Sequence, residues 1–424
     1  MHTLKEIYQD NEERNFIDPS LYSRYRVKAG LRNDNGTGVK VGLTKICDVI
    51  GYKIIHEKKY NIDGQLIYRG YPINYLVNKQ PSDKICGFEE TAYLLIFGTL
   101  PNADQLKIFK DYLLHFKMGP VDLQYETPNI LNALQIEVLK LYAKDPSADT
   151  DDLEERMMKG LKILASIPLF TFSYARNKVF KSYPYPDRSL AENILCMARG
   201  NDQYTFEEAK IMDTLLMVHA DHGGGNNSTF ANVVISSTGT DIYSCISAAI
   251  GSLKGPKHGG ANCKVTNMFK AIFHEVGFTT DKATLKKIAN RILDKDFFDH
   301  SGLIYGIGHA IYTKSDPRAL LIHEQCEALA KSKGQEEIYN CIHAFEKVAI
   351  EVMKERKGID VCANVDYYSG YVYSLLGIES DLFTPLFAIS RTAGWVSHHL
   401  ENRQSNRKLI RPANVYVGEM EEIK

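Results

Sequence analysis

The 424-residue sequence has no closely spaced cysteines, no excess of charge of either sign and no apolar run of membrane-spanning length. Each absence excludes a class of protein. The eight cysteines stand at 47, 86, 196, 245, 263, 326, 341 and 362, so there is no CxxC or zinc-ribbon spacing, and buried, reduced cysteines are expected. Lys and Arg number 51 against 52 Asp and Glu, a net charge of -1, which supplies no bulk field to gather nucleic acid or an anionic membrane. An anionic ligand must therefore be caught by locally placed charges. No stretch approaches the roughly 18 apolar residues of a membrane span. The start, MHTLKEIYQDNEERN, is acidic and lacks the apolar core of a signal peptide, so a cytoplasmic protein is expected, without nucleic-acid or membrane partners.

What is present is helical patterning. Hydrophobic residues make up 44% of a chain long enough for two or three packed domains. Gly- and Asn-Gly-punctuated runs at 28–53 and 64–77 read as a small hairpin element. Beyond Phe88 the pattern changes. Asn102 caps an apolar stripe at Leu106, Phe109, Leu113 and Phe116, and Thr205 with Glu208 forms a capping-box signature ahead of AKIMDTLLMVHADH. Further helices fit 241–253, 261–275, 282–294, 318–332, 336–357, 367–376 and 384–402. The fold class is mainly α with a small N-terminal β element, and no internal repeat is evident.

Several residues stand out chemically. In HADH, His219 and His222 lie at a helix end, where a positively charged imidazole is favoured. They read either as packed or capping histidines or, with Asp221, as metal ligands of a metal-dependent hydrolase. His258, in GPKHGGAN, sits between a Gly-Pro break and a Gly-Gly pair, ahead of a helix N-terminus that favours a neutral ring. Such a ring either fills a turn or donates a hydrogen bond to an oxygen gaining negative charge. GIGHAIYTKSDPRA holds His309 and Arg318 in one turn-rich segment; its Gly306 and Gly308 do not complete GxGxxG, because residue 311 is Ile. Arg391 lies in an apolar helix and requires either an internal carboxylate or an anionic ligand. Asp366, in NVDYYSG, is either a helix N-cap or a carboxyl made more basic by desolvation. Together these groups suit proton abstraction beside a carbonyl and attack on an anionic carbonyl partner, with no metal.

In GTGVKVGLTKI, IYRGYPI, FEETAYLLIFGTLP, HADHGGGNNST, GPKHGGAN, GIGHAIYTKSDPRA, NVDYYSG and RPANVYVG the sequence resembles the citrate synthase family over nearly its whole length. The resemblance implies a two-domain multihelical fold: a large domain (1–262 and 376–424) interrupted by a small one (263–375) that closes on substrate. It implies a homodimeric acyltransferase of the tricarboxylic acid cycle that joins acetyl-CoA to oxaloacetate and needs no cofactor or metal. It further implies that His222, His309, Arg318, Arg391 and Arg411 bind oxaloacetate, Arg411 reaching in from the other subunit. Asp366 and His258 would enolise acetyl-CoA, while Lys314, Gly306 and Gly308 would meet CoA. The alternative within the family is 2-methylcitrate synthase, which uses propionyl-CoA. Gly223, where members often have Glu, and Ile307, where an aromatic or smaller residue is usual, depart from the family pattern without removing a reacting group.

Overall fold

The computed structural model describes residues 16–56, 58–119, 127–405 and 408–418, with Gln9 and Leu123 as isolated positions. Among these residues there are sixteen α-helices and one three-stranded sheet. The chain divides into two compact units, Thr44–Leu409 and the two chain ends.

In the chain-end unit, α1 (Ser20–Arg24) and a 3-10 turn (Ala29–Leu31) lead into a tight loop. Asn35 closes that loop by accepting hydrogen bonds from the backbone N–H and hydroxyl of Thr37. Tyr22, Tyr25, Val27, Val41, Leu43 and Tyr416 of this unit are all exposed.

The larger unit begins with β1 (Cys47–Ile55), β2 (Lys58–Tyr68) and β3 (Tyr71–Pro72), paired antiparallel in that order. The hairpin expected between 28 and 77 is therefore real, but its strands start only at Cys47. Helices follow: α2 (Ile73–Asn78), α3 (Gly87–Phe97), α4 (Ala103–Leu114), α5 (Ile130–Ala143), α6 (Leu153–Ala175), α7 (Leu190–Arg199) and α8 (Phe206–His219). Then come α9 (Asn227–Ser236), α10 (Ile242–Leu253), α11 (Ala261–Val276), α12 (Lys282–Leu293), α13 (Pro317–Ser332), α14 (Glu336–Lys357), α15 (Val365–Leu375) and α16 (Phe383–Ser405). The predicted caps form: Asn102 with Gln105 on α4 and Thr205 with Glu208 on α8 are both reciprocal capping boxes.

Helices α1, α2, α3, α5, α6, α7 and α9 lie outside those the sequence pattern marks. For α6 the reason is physical: fifteen of its 23 residues are buried, so no polar face reveals its period, and Pro168 stands inside it. The core runs along α6 and α16, which pack on each other, and α16 is buried from Phe383 through His399. Helices α11 to α15 pack mainly among themselves, α12 on α14 and α15 on both α11 and α13. No helix among the described residues is long and apolar enough to cross a membrane.

Candidate active site

Helix α8 ends at His219 because Tyr68, at the end of β2, takes over its last polar groups. The Tyr68 hydroxyl donates to the Asp221 carbonyl at 2.9 Å and accepts from the Asp221 N–H at 3.1 Å. His222 thus lies beyond the helix on a short irregular segment, so the two histidines do not share a helical face. His219 turns inward, its Nδ1 donating to Leu215 O at 2.7 Å and its ring packing on Phe387. Burial lowers its pKa to about 3. Desolvation therefore outweighs the helix-end field, and the ring is neutral, correcting the charged state expected at a helix end. His222, also buried, stands edge-on to His309 at 5.1 Å and to Tyr312 at 5.6 Å. Burial, then the charge of Arg318, holds it well below the usual imidazole range, and its Nε2 has no partner.

Asp221 pairs with His398 at 3.0 Å. No group of three or more His, Cys, Asp or Glu is placed to hold a metal among the described residues. The HADH motif thus gives the metal-dependent hydrolase no ligand set.

The loop carrying His309 is stitched to the segment that starts α15. Gly308 N–H donates to Cys362 O, Asn364 N–H to Gly306 O, and Asn364 Nδ2 to Gly308 O, each at 2.8 Å. Gly306 is required twice over: its φ is +81°, and a Cβ would lie 2.8 Å from the Tyr367 ring. From the other side the hairpin clamps this loop, since a Cβ on Gly51 would stand 2.4 Å from Ile311 O and one on Gly64 2.1 Å from Ser315 O. Those two glycines carried no recognisable signal in the sequence, because their partner is more than 240 residues away. His309 Nδ1 accepts the backbone N–H groups of Ile311 and Tyr312, both at 3.1 Å, which places the neutral ring's proton on Nε2.

Asn364, not Asp366, caps α15: its Oδ1 accepts from Asp366 N at 3.0 Å. Asp366 Oδ1 is buried without a partner, and burial pushes the carboxyl up to about 7 despite the opposing charge of Arg318. Of the two readings of Asp366, the desolvated carboxyl is the one the fold builds.

Asp316 caps α13 and also holds Arg318, whose Nε and Nη2 lie 3.0 and 2.6 Å from its two oxygens. Burial opposes the charge on Arg318, but Asp316 outweighs it, so the pKa is raised. Arg391 is fully buried on α16; its Nε donates to His219 O at 2.6 Å and its guanidinium lies over Phe387. Neither Nη has a partner, and burial lowers its pKa to about 10. The internal ion pair open to Arg391 is not made.

His258 is held by a contact that sequence reasoning missed. Its Nε2 lies 3.0 Å from Ser228 Oγ, in the first turn of α9, and Trp395 Nε1 donates to the same oxygen at 3.3 Å. The only signal was a serine in HADHGGGNNST, which reads as an ordinary helix start. Burial, then the charge of Arg391, lowers His258 to about 4, so it too is neutral.

One field joins these groups. The charge of Arg391 acts on His219, His222, His258 and Asp366, and that of Arg318 on His219, His222 and Asp366. The structure therefore gathers His222, His258, Arg318, Asp366 and Arg391, with His309 against His222. Lys314 is exposed on the segment after Tyr312, and Arg411 belongs to the chain-end unit, where it is exposed.

The predominantly helical fold that carries these groups is the fold of solved citrate synthases. A family model for the citrate synthase C-terminal domain matches residues 33–413, and the chain belongs to that family. Citrate synthase of Haloferax volcanii is 37% identical over 386 residues, covering 87% of this chain and 94% of that protein. 2-Methylcitrate synthase 1 of Corynebacterium glutamicum is 33% identical over 366 residues, covering 83% and 89%. Among solved structures, citrate synthase from Thermotoga maritima superposes with a TM-score of 0.74 at 28% identity, covering 94% of this chain and 98% of that one. The ternary complex of Thermoplasma acidophilum citrate synthase with carboxymethyl coenzyme A and oxaloacetate gives the same TM-score at 26% identity, with the same coverage.

Proposed function

We propose that this enzyme condenses acetyl-CoA with oxaloacetate and water to give citrate and CoA, as an acyltransferase without a cofactor. The observation that carries the reading is the buried, unpartnered Asp366 carboxyl, raised to about 7 beside neutral His258 and the open Nη atoms of Arg391. Arg391 takes one oxaloacetate carboxylate, Arg318 and His222 orient the diacid, and His309 Nε2–H polarises the ketone. Ionised Asp366 removes a methyl proton from the thioester while His258, donating from Nδ1, stabilises the enol oxygen. The enol carbon bonds to the ketone carbon, whose oxygen takes the proton from His309. Water then cleaves the citryl thioester, releasing CoA.

Lys314, Gly306 and Gly308 meet CoA in this reading, and residues 263–375 close over it, which keeps water from the thioester until the new bond exists. Arg411 reaches the site of a second copy. The apolar exposure of Tyr22, Tyr25, Val41 and Tyr416 near the chain ends supports such an association. The acting compartment proposed is the cytoplasm, and the reaction is the entry step of the tricarboxylic acid cycle.

Propionyl-CoA is the second reading, favoured by the 33% identity to a 2-methylcitrate synthase. One methylene changes discrimination by about 1–3 kcal/mol, so few side chains decide it. Release of free CoA, followed with a thiol reagent for each acyl-CoA plus oxaloacetate, tests both. Higher kcat/KM with acetyl-CoA is expected; a preference for propionyl-CoA would reverse the assignment.

A further inference from the structure

Asp221, the acid of HADH, has no part in the condensation above, yet it is the strongest attractive charge acting on Arg391. Its position is over-determined. The Tyr68 hydroxyl holds its backbone on both sides, its Oδ2 accepts from Gly223 N–H at 3.2 Å, and His398 Nε2 donates to the same oxygen at 3.0 Å. Its Oδ1 has no partner, and neither has Nη1 or Nη2 of Arg391. A buried carboxylate and a buried guanidinium in each other's field gain strongly by closing into a hydrogen-bonded pair. Here they do not close, although both are fully enclosed. His398 lies on α16 with Arg391, two turns further along, and draws the carboxylate toward its own end of the helix.

We propose that His398 is a positioning residue that restrains Asp221 from pairing with Arg391, so that the Nη atoms stay open for a substrate carboxylate. The inference rests on Arg391 being the clamp assigned under Proposed function. It gives the tether of Asp221 one duty: to keep that carboxylate out of the site beside it.

The test is epistasis rather than loss. His398→Phe keeps the ring and removes the donor; oxaloacetate affinity, measured by titration calorimetry, is expected to fall by about tenfold or more as Asp221 closes on Arg391. KM for oxaloacetate should rise with kcat at saturation largely kept. His398→Gln, which retains an N–H donor, should recover part of the loss. Asp221→Asn alone should bind oxaloacetate as tightly as the unmodified protein or more tightly, and adding Asp221→Asn to His398→Phe should restore binding. A pair needed only for structure gives the opposite: Asp221→Asn weak, and the double variant no better than His398→Phe. That result would overturn the proposal. If His398→Phe does not fold, the Asp221→Asn measurement still decides between the two. Should the unmodified enzyme not bind oxaloacetate, the clamp assignment fails. The crystal structure of His398→Phe or His398→Gln then judges the restraint separately: Asp221 closed on Arg391 supports it, and Asp221 unmoved refutes it.

Discussion

Two buried guanidiniums, about seventy residues apart in sequence, are prepared in opposite ways. Arg318, at the start of α13, is closed: Asp316 grips it through two side-chain hydrogen bonds and raises its pKa. Arg391, in the middle of α16, is open: one Nε bond goes to a backbone carbonyl, two Nη atoms have no partner, and burial depresses its pKa to about 10. A closed charge is a structural group that also orients ligand. An open charge is a cost the fold accepts for something that arrives later. Asp366 belongs with Arg391 in this division, because its carboxyl is likewise enclosed, unpartnered and pushed from its ordinary pKa.

The largest expected effect falls on the open side. Asp366→Asn should lower kcat by roughly 100- to 10,000-fold, the range for losing a general base, while oxaloacetate still binds. Exchange of the acetyl-CoA methyl protons with solvent deuterium, followed by NMR, should stop with it; unchanged exchange would remove Asp366 from the mechanism. The same substitution affects stability with a definite sign. The folded carboxyl titrates at about 7 against an ordinary value of 3.8, so the unfolded chain holds fewer protons between those values. Stability of the unmodified protein should therefore fall as pH rises from about 4 to 7. Asp366→Asn should melt higher than the unmodified protein at pH 8 and equal to it near pH 3.5. In the unmodified enzyme, kcat/KM should rise with pH through about 7 as the base ionises.

The arginines themselves come next. Arg391→Met should weaken oxaloacetate binding by roughly 100-fold in calorimetry, with no loss of melting temperature, because an unpaired buried charge is replaced by an apolar chain of similar length. Arg318→Met should destabilise by about 3–5 kcal/mol in denaturant titrations, because it leaves Asp316 buried and uncompensated. Equal stability losses at the two positions would erase the distinction between open and closed.

How much of this was legible beforehand depended on distance along the chain. Capping boxes, glycine-flanked histidines, α4, α8 and the amphipathic helices from α10 onward are local, and the sequence displays them. The Arg318–Asp316 pair is two residues apart and within reach of the same reading. The end of α8 is not, because Tyr68 fixes it from 149 residues away. Nor are Gly51 and Gly64, whose meaning lies in the backbone at 311 and 315. The charge state of His219 departs from the helix-end expectation for a related reason: a helix-end field can be read from sequence, whereas complete burial of the ring depends on Phe387, far along the chain.

Ser228 tests the neutral side of the comparison and should have the smallest effect. The Ser228 hydroxyl donates to Asn226 Oδ1 at 3.0 Å and accepts from Trp395 Nε1, so for His258 to donate from Nδ1 the Ser228 proton has to swing from Asn226 onto the ring's Nε2. Ser228→Ala removes the hydroxyl that supplies this proton and leaves the ring itself in place against Phe387. The expected loss is about tenfold in kcat, on the order of one hydrogen bond, with KM for oxaloacetate unchanged. Ser228→Thr, which keeps the hydroxyl, should recover most of the rate. Trp395→Phe, which removes only the second donor to the same oxygen, should cost stability without a comparable fall in kcat. If Ser228→Ala and Trp395→Phe instead behave alike, the serine is merely filling a hydrogen-bonding site, and the tautomer of His258 is set elsewhere.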